Sequence, residues 1–225
     1  MTIPVTQVTW LPSWRIIPSR FPPIQLFERV TDPADLEAVL ALESLTNDRI
    51  RAEVGQLDLI PPEDRLAGPG TSAIMAAFTH LNPAGSRFSD GTYGVYYAGN
   101  TLETAIAETC YHREVFMRAT NEGPMELDMR VYLTDLDAPL HDIRGLREIL
   151  PTVYAAEDYS ASQALGLQLR AQQSWGIAYD SVRHAGGECV GIFRPLALRN
   201  CRQERHLCYV WDGTRIRTIY RKSAL

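Results

Sequence analysis

Between Gly91 and Ala119 the chain changes its hydrophobic period once. The run "GTYGVYYAG" is rich in β-branched and aromatic residues and bounded by glycines, which reads as a strand. The run "NTLETAIAETCYHREVFMRA" that follows returns to the 3.6-residue spacing of a helix. A strand fed into a helix through Gly99 and Asn100 buries one side of each against the other, so the molecule must pack helix on sheet. On that helix Leu102, Ala105, Ile106, Thr109, Arg113 and Phe116 gather on one side, the expected core face, and Glu108 falls well off it.

The other segments alternate without a regular βαβ repeat. The opening carries Pro4, Pro12, Pro18, Pro22 and Pro23 with Trp10 and Trp14, which suits an extended, packed lead-in because proline fixes φ and removes a donor. "TDPADLEAVLALESLTNDRIRAEVG" has a capping Thr31 or Asp32, Pro33 in the first turn, Leu36, Val39, Leu40 and Leu42 near helical spacing, and Gly55 at its end, which predicts a helix. "TSAIMAAFTHLN" predicts another, stopped before Pro83. Strands are expected at "MELDMRVYL", "GIAYDSV" and "CVGIF", and a helix at "YSASQALGLQLRAQQSWG" opened by a Ser160-x-x-Gln163 capping box. "HLCYVWDGTRIRTIY" reads as a hairpin around Asp212 and Gly213. The pattern indicates an α+β fold in one domain over 1–225, with a lead-in and helices at 1–83, a motif-bearing core at 84–195 and a basic hairpin at 196–225.

Charge and cysteine usage narrow the function classes. A net charge of -5 and a pI of 5.6 do not supply the basic field that general nucleic-acid binding requires. Cys110, Cys189, Cys201 and Cys208 form no C-x-x-C pair and no zinc-finger spacing, so reduced, mostly buried thiols are expected. Neither a signal sequence nor an apolar run of membrane-spanning length occurs, and the expectation is a soluble, cytoplasmic protein without a membrane partner.

Arg87 follows the turn-forming "NPAGS", so a planar, permanently charged fork that fits phosphate or carboxylate is carried on a loop before the strand. Tyr96 and Tyr97 lie on opposite strand faces, one for the core and one able to stack on a flat ligand. With Glu108 these residue types suit cleavage of the N-glycosidic bond of NAD. A carboxylate stabilises the oxocarbenium-like ribose, an aromatic holds the ring and an arginine holds the pyrophosphate, with no metal required. Other constellations are weaker. Asp180, Ser181 and His184 lack a G-x-S-x-G elbow, Cys189 near His184 falls in a strand-like run, and His80, His112, His141 and His206 show no i, i+4 ligand pairing with each other. The tail from Arg194 onward carries seven arginines and one lysine against Glu204 and Asp212, either a solvated hairpin face or a docking surface for an acidic partner or a phosphate.

Here the chain resembles the RES-domain toxins of bacterial toxin–antitoxin modules, named for an arginine, a glutamate and a serine. The family segments G-x-R-[WF], V-x-Y and A-x-x-E look like "GSRF", "VYYA" and "AIAE", with Tyr97 ten residues after Arg87 and Glu108 eleven after Tyr97. That spacing selects Tyr97 over Tyr96. The family segment G-I-x-Y-x-S-x-R is matched by "GIAYDSVR", assigning Ser181, and "WRIIP" is similar to its opening Y-R-[IV]-[VI]-P, assigning Arg15. The resemblance covers residues 14–20 and about 84–195, and departs where compact members have G-G-R-W-N against "GSRFS" here.

The resemblance implies an ADP-ribosyltransferase-like mixed β core with flanking helices and NAD as substrate. Arg87 and Arg15 would hold the phosphates or the nicotinamide-side ribose, and Tyr97 would stack on nicotinamide. Glu108 would act at the anomeric carbon, and Ser181 would bond the nicotinamide end. It further implies a helix-turn-helix antitoxin partner and an acceptor that is water, phosphate or a host protein, the last favoured here and including enzymes of nucleotide biosynthesis. An NAD or ADP-ribose sensor without turnover is the alternative of another class.

Overall fold

The computed structural model describes residues 2–19, 28 and 56–223. The helix expected at 31–55 lies outside the described residues. Within them are seven strands, β1 (Val5–Pro18), β2 (Tyr96–Gly99), β3 (Met125–Asp142), β4 (Gly176–Asp180), β5 (Glu188–Ile192), β6 (Leu198–Trp211) and β7 (Ile216–Lys222). Three α-helices accompany them, α1 (Thr71–Thr79), α2 (Leu102–Ala119) and α3 (Ser160–Ala171). The fold is mixed α+β, as expected from the irregular alternation.

The sheet runs β1-β2-β5-β4-β3-β6-β7, and β1 also pairs with β3, so five strands close into a ring from which the β6–β7 hairpin extends. The proline-rich opening is therefore more than a lead-in. β1 runs antiparallel to β3 from Val5↔His141 to Pro18↔Met129, and Pro12 falls in the register shift between Trp10 and Ser13, where no ladder donor is demanded. β3 is likewise longer than "MELDMRVYL", because β1 pairs with it as far as His141 and β4 joins its last two residues, His141 and Asp142.

Alternate residues divide the apolar surface. Val8, Tyr96, Ala98, Leu136, Ala138, Leu140, Ala178, Val190 and Ile192 come from all five ring strands and pack with Ile74, Met75 and Phe78 of α1. The opposite faces of β4 and β5 give Ile177, Tyr179 and Cys189, packed with Phe88, Val153, Tyr154 and Leu169 of α3. Ile16, Met129, Val131, Leu207 and Tyr209 pack under Ala105 of α2.

Two local expectations are corrected. The buried stripe of α2 ends on Met117, which is 3% exposed, while Phe116 is 39% exposed and takes Arg113 over its ring at 5.4 Å. Spacings of four from Leu102 through Ile106 and Cys110 lead to Met117 more closely than to Phe116. The Ser160–Gln163 capping box does not form, since Tyr159 occupies the cap position without a side-chain bond. Asp158 Oδ1 instead accepts from the Ser160 amide at 2.9 Å, and Gln163 Nε2 donates to Ser86 O at 3.0 Å, tying α3 to the Arg87 loop. In the basic tail Arg194 pairs with Asp64, Arg202 with Asp135, Arg205 with Glu204, Arg217 with Asp212 and Lys222 with Asp128, so much of its charge is matched within the chain.

Candidate active site

Arg87 is presented by a tight turn. The amide of Ser86 donates to Ser89 O at 2.7 Å, and that of Phe88 donates to the Tyr97 hydroxyl at 2.8 Å. Ser86 Oγ lies 2.9 Å from the same hydroxyl, so Tyr97 fastens the turn to β2. Burial pushes the Tyr97 phenol up to about 12, ahead of the opposing bonds from Ser86 and Phe88, and it stays neutral at physiological pH. Arg87, 6% exposed, donates through Nη1 to Val153 O at 3.1 Å and Ala155 O at 3.0 Å and lies 4.6 Å from the centre of the Tyr159 ring.

Glu108 is held from the far side. β4 ends at Asp180, and the Ser181 amide donates to Gly187 O at 2.8 Å, closing a turn back into β5. Ser181 Oγ accepts from the amides of Arg183 at 3.1 Å and His184 at 2.9 Å, and donates to Glu108 Oε1 at 2.6 Å. An oxygen polarised by two amides is a stronger donor, which suits the short bond to a carboxylate. Cys189 Sγ stands 3.8 Å from the same Oε1. Burial first and the Glu108 charge second push the Cys189 thiol well up, so it remains a weak S–H donor.

Tyr97 packs with Phe88, Tyr179 and Cys189, and Cys189 Sγ and Ser181 Oγ both face Glu108 Oε1, so the Arg87 turn, Tyr97, Glu108 and Ser181 are gathered on one side of the β2–β5–β4 strands. Tyr96 is on the other side, fully buried, with its hydroxyl 2.8 Å from Thr134 Oγ1. Arg15 is on that side too. Its guanidinium lies 4.4 Å from the Tyr96 ring centre and donates to Tyr97 O at 3.0 Å, and desolvation lowers its pKa. Arg15 thus reaches the main chain of β2 and makes no hydrogen bond to Glu108 or Ser181.

Three neighbours were not placed at the site by the sequence reading. His112 stands one turn after Glu108 on the same flank of α2, a relation that the i, i+4 spacing already contained. His112 is an exposed residue, and partial desolvation of its ring lowers its pKa, with Glu108 opposing and Arg183, Arg87 and Arg113 reinforcing the shift. Cys189 joins Glu108 only because β5 lies beside β4. Arg183 sits over the Tyr111 ring at 3.2 Å, a contact between turn and helix without a local signature.

A carboxylate with one oxygen pinned by a hydroxyl and a thiol keeps the second for a developing positive charge. On the same side of the sheet are the neutral Tyr97 phenol and the Arg87 guanidinium held by two carbonyls. Such an arrangement stabilises a cationic carbon beside an anionic group.

The model of the RES domain family matches residues 62–212. An uncharacterized protein of Sinorhizobium fredii, y4oC, is 31% identical over 207 residues, spanning 92% of this chain and 86% of its own. Among solved structures, the M. tuberculosis MbcT-MbcA toxin-antitoxin complex aligns over 93% of this chain and 87% of its own, at 10% identity and a TM-score of 0.48. Match length and identity to the relative agree, and this chain belongs to the RES domain family.

Proposed function

We propose that the protein is the toxin of a toxin–antitoxin pair and that it cleaves NAD at the bond between nicotinamide and ribose, passing the ADP-ribosyl group to a protein of its host. The observation that carries this reading is the 2.6 Å bond from Ser181 to Glu108 Oε1, which fixes a carboxylate on the side of the sheet where Tyr97 and the Arg87 turn pack. Membership of the RES domain family supports it.

In the reaction nicotinamide departs with the bonding electron pair, and the ribose C1 gains positive charge. Glu108 lowers the energy of that state because its negative charge is close, oriented and partly removed from water. Tyr97 would lie against the aromatic leaving group and Arg87 against the phosphates. The acceptor side chain then bonds to C1 and releases its proton to solvent. Arg15, through Tyr97 O, steadies β2 from behind. A helix-turn-helix antitoxin covering this cleft is the expected inhibitor.

The test is release of nicotinamide from NAD by the purified chain, beside mass spectrometry of a host lysate treated with the protein and NAD. Release together with an adduct of about 541 Da, the mass of ADP-ribose, on one protein supports transfer. Release without any adduct assigns water or phosphate as acceptor. No release above an E108A control, with NAD still bound, leaves a binding module instead of an enzyme.

A further inference from the structure

Val153, Ala155 and Ala156 belong to the segment between β3 and α3, and their carbonyls organise two arginines from different parts of the chain. Arg87 donates to Val153 O and Ala155 O, and Arg183 Nη2 donates to Ala156 O. Each guanidinium also has an aromatic face beneath it, Tyr159 under Arg87 and Tyr111 under Arg183. Ala155 and Ala156 are consecutive, so the two guanidinium groups are brought to neighbouring peptides.

Neutral carbonyls and rings orient these cations without cancelling them. Neither arginine makes an ion pair with a carboxylate of the described residues, and Arg183 Nε is buried with no hydrogen-bond partner. Two like charges close together and partly desolvated oppose folding, and an unpaired buried donor adds to that cost. Glu108, across the site, has Oε1 taken by Ser181. Two guanidinium groups held on the adjacent carbonyls of Ala155 and Ala156 suit an anion with more than one charged group.

We propose that Arg87 and Arg183 form a two-armed clamp for a pyrophosphate group, mounted on the Val153–Ala156 carbonyls, with Arg183 as the arm that selects a diphosphate over a monophosphate or a nucleoside. The proposal rests on the NAD reading above and assigns Arg183 to the pyrophosphate of that dinucleotide. Tyr111 holds the guanidinium flat, so the face of Arg183 is fixed before the ligand arrives.

The experiment is calorimetric binding of ADP, inorganic pyrophosphate and adenosine to the full chain and to its R183A, R183K and Y111L variants, beside the KM and kcat of nicotinamide release. R183A is expected to weaken ADP and pyrophosphate on the order of 10- to 100-fold and raise KM for NAD similarly, with a smaller change in kcat and none for adenosine. R183K should restore only part, because an ammonium is a point charge that cannot replace a stacked fork, and Y111L should fall between. If R183A does not fold, R183K and Y111L are judged by the same criteria. Unchanged ADP affinity in these variants, or equal loss of ADP and adenosine, overturns the clamp. A wild-type chain that releases no nicotinamide but loses ADP binding on R183A keeps the clamp and refutes turnover. Turnover with KM unmoved by R183A does the reverse.

Discussion

At the residue scale the site depends on one oxygen. Glu108 Oε1 takes the Ser181 hydroxyl at 2.6 Å, with Cys189 Sγ at 3.8 Å. Glu108→Gln keeps size and removes charge, so nicotinamide release should fall on the order of 10²-fold or more while NAD affinity, read by calorimetry, stays near the wild-type value. Equal loss of both would make Glu108 a structural residue. Ser181→Ala removes the donor to Glu108 and leaves the amides of Arg183 and His184 without their acceptor. Urea unfolding should show a loss of about 1–3 kcal/mol, and kcat should fall more than NAD binding. Glu108, Tyr97, Arg87 and Ser181 were legible as residue types at family spacing. The hydrogen of Ser181 was not, since its direction depends on α2 lying across the end of β4.

At the scale of elements, α3 positions the Arg87 turn by close approach. A Cβ on Gly166 would stand 2.2 Å from Phe88 O and 2.9 Å from the Tyr93 hydroxyl. Alanine normally favours a helix over glycine by about 1 kcal/mol, so Gly166→Ala would stabilise a helix packed loosely. Here the clash reverses the sign. A loss of about 1–3 kcal/mol in urea unfolding is expected, with weakened NAD affinity because Phe88 is next to Arg87. A more stable G166A with unchanged affinity would show that α3 does not set the turn. At the other helix Thr101 Oγ1 accepts from the Thr104 amide at 3.2 Å, so Thr101→Ala should cost about 0.5–2 kcal/mol in the same assay and Thr101→Ser much less. The strand and helix around Gly99 were readable from their periods. The capping box of α3 was misread because Gln163 found a tertiary partner, Ser86 O, stronger in context than its own helix end.

At the scale of the whole molecule, pH reports how the cleft is assembled. The pKa of His112 and that of His141 are both lowered by desolvation, so each binds more protons unfolded than folded below the ordinary histidine value of about 6.5. Their contribution is complete above that pH and is lost as pH falls from there toward the folded values. Urea midpoints should decline between about pH 6.5 and 5, and His112→Gln should flatten part of the decline. A midpoint constant over that range would contradict the desolvation of His112 and His141. Asp142, lowered first by its bond from Arg144, contributes only in a separate window, as pH falls below about 4. By itself the sequence determined the α+β class and the strand-to-helix switch at Gly99, and it proposed Arg87, Tyr97, Glu108 and Ser181 for the site, because periodicity and motif spacing are local. Only the tertiary structure decided that β1 closes the ring against β3, that Arg15 works from behind β2, and that Arg183 comes beside Arg87. Those relations join residues some 80 to 130 positions apart, which no local pattern encodes and only the pairing of β1 with β3 and the Val153–Ala156 segment bring about.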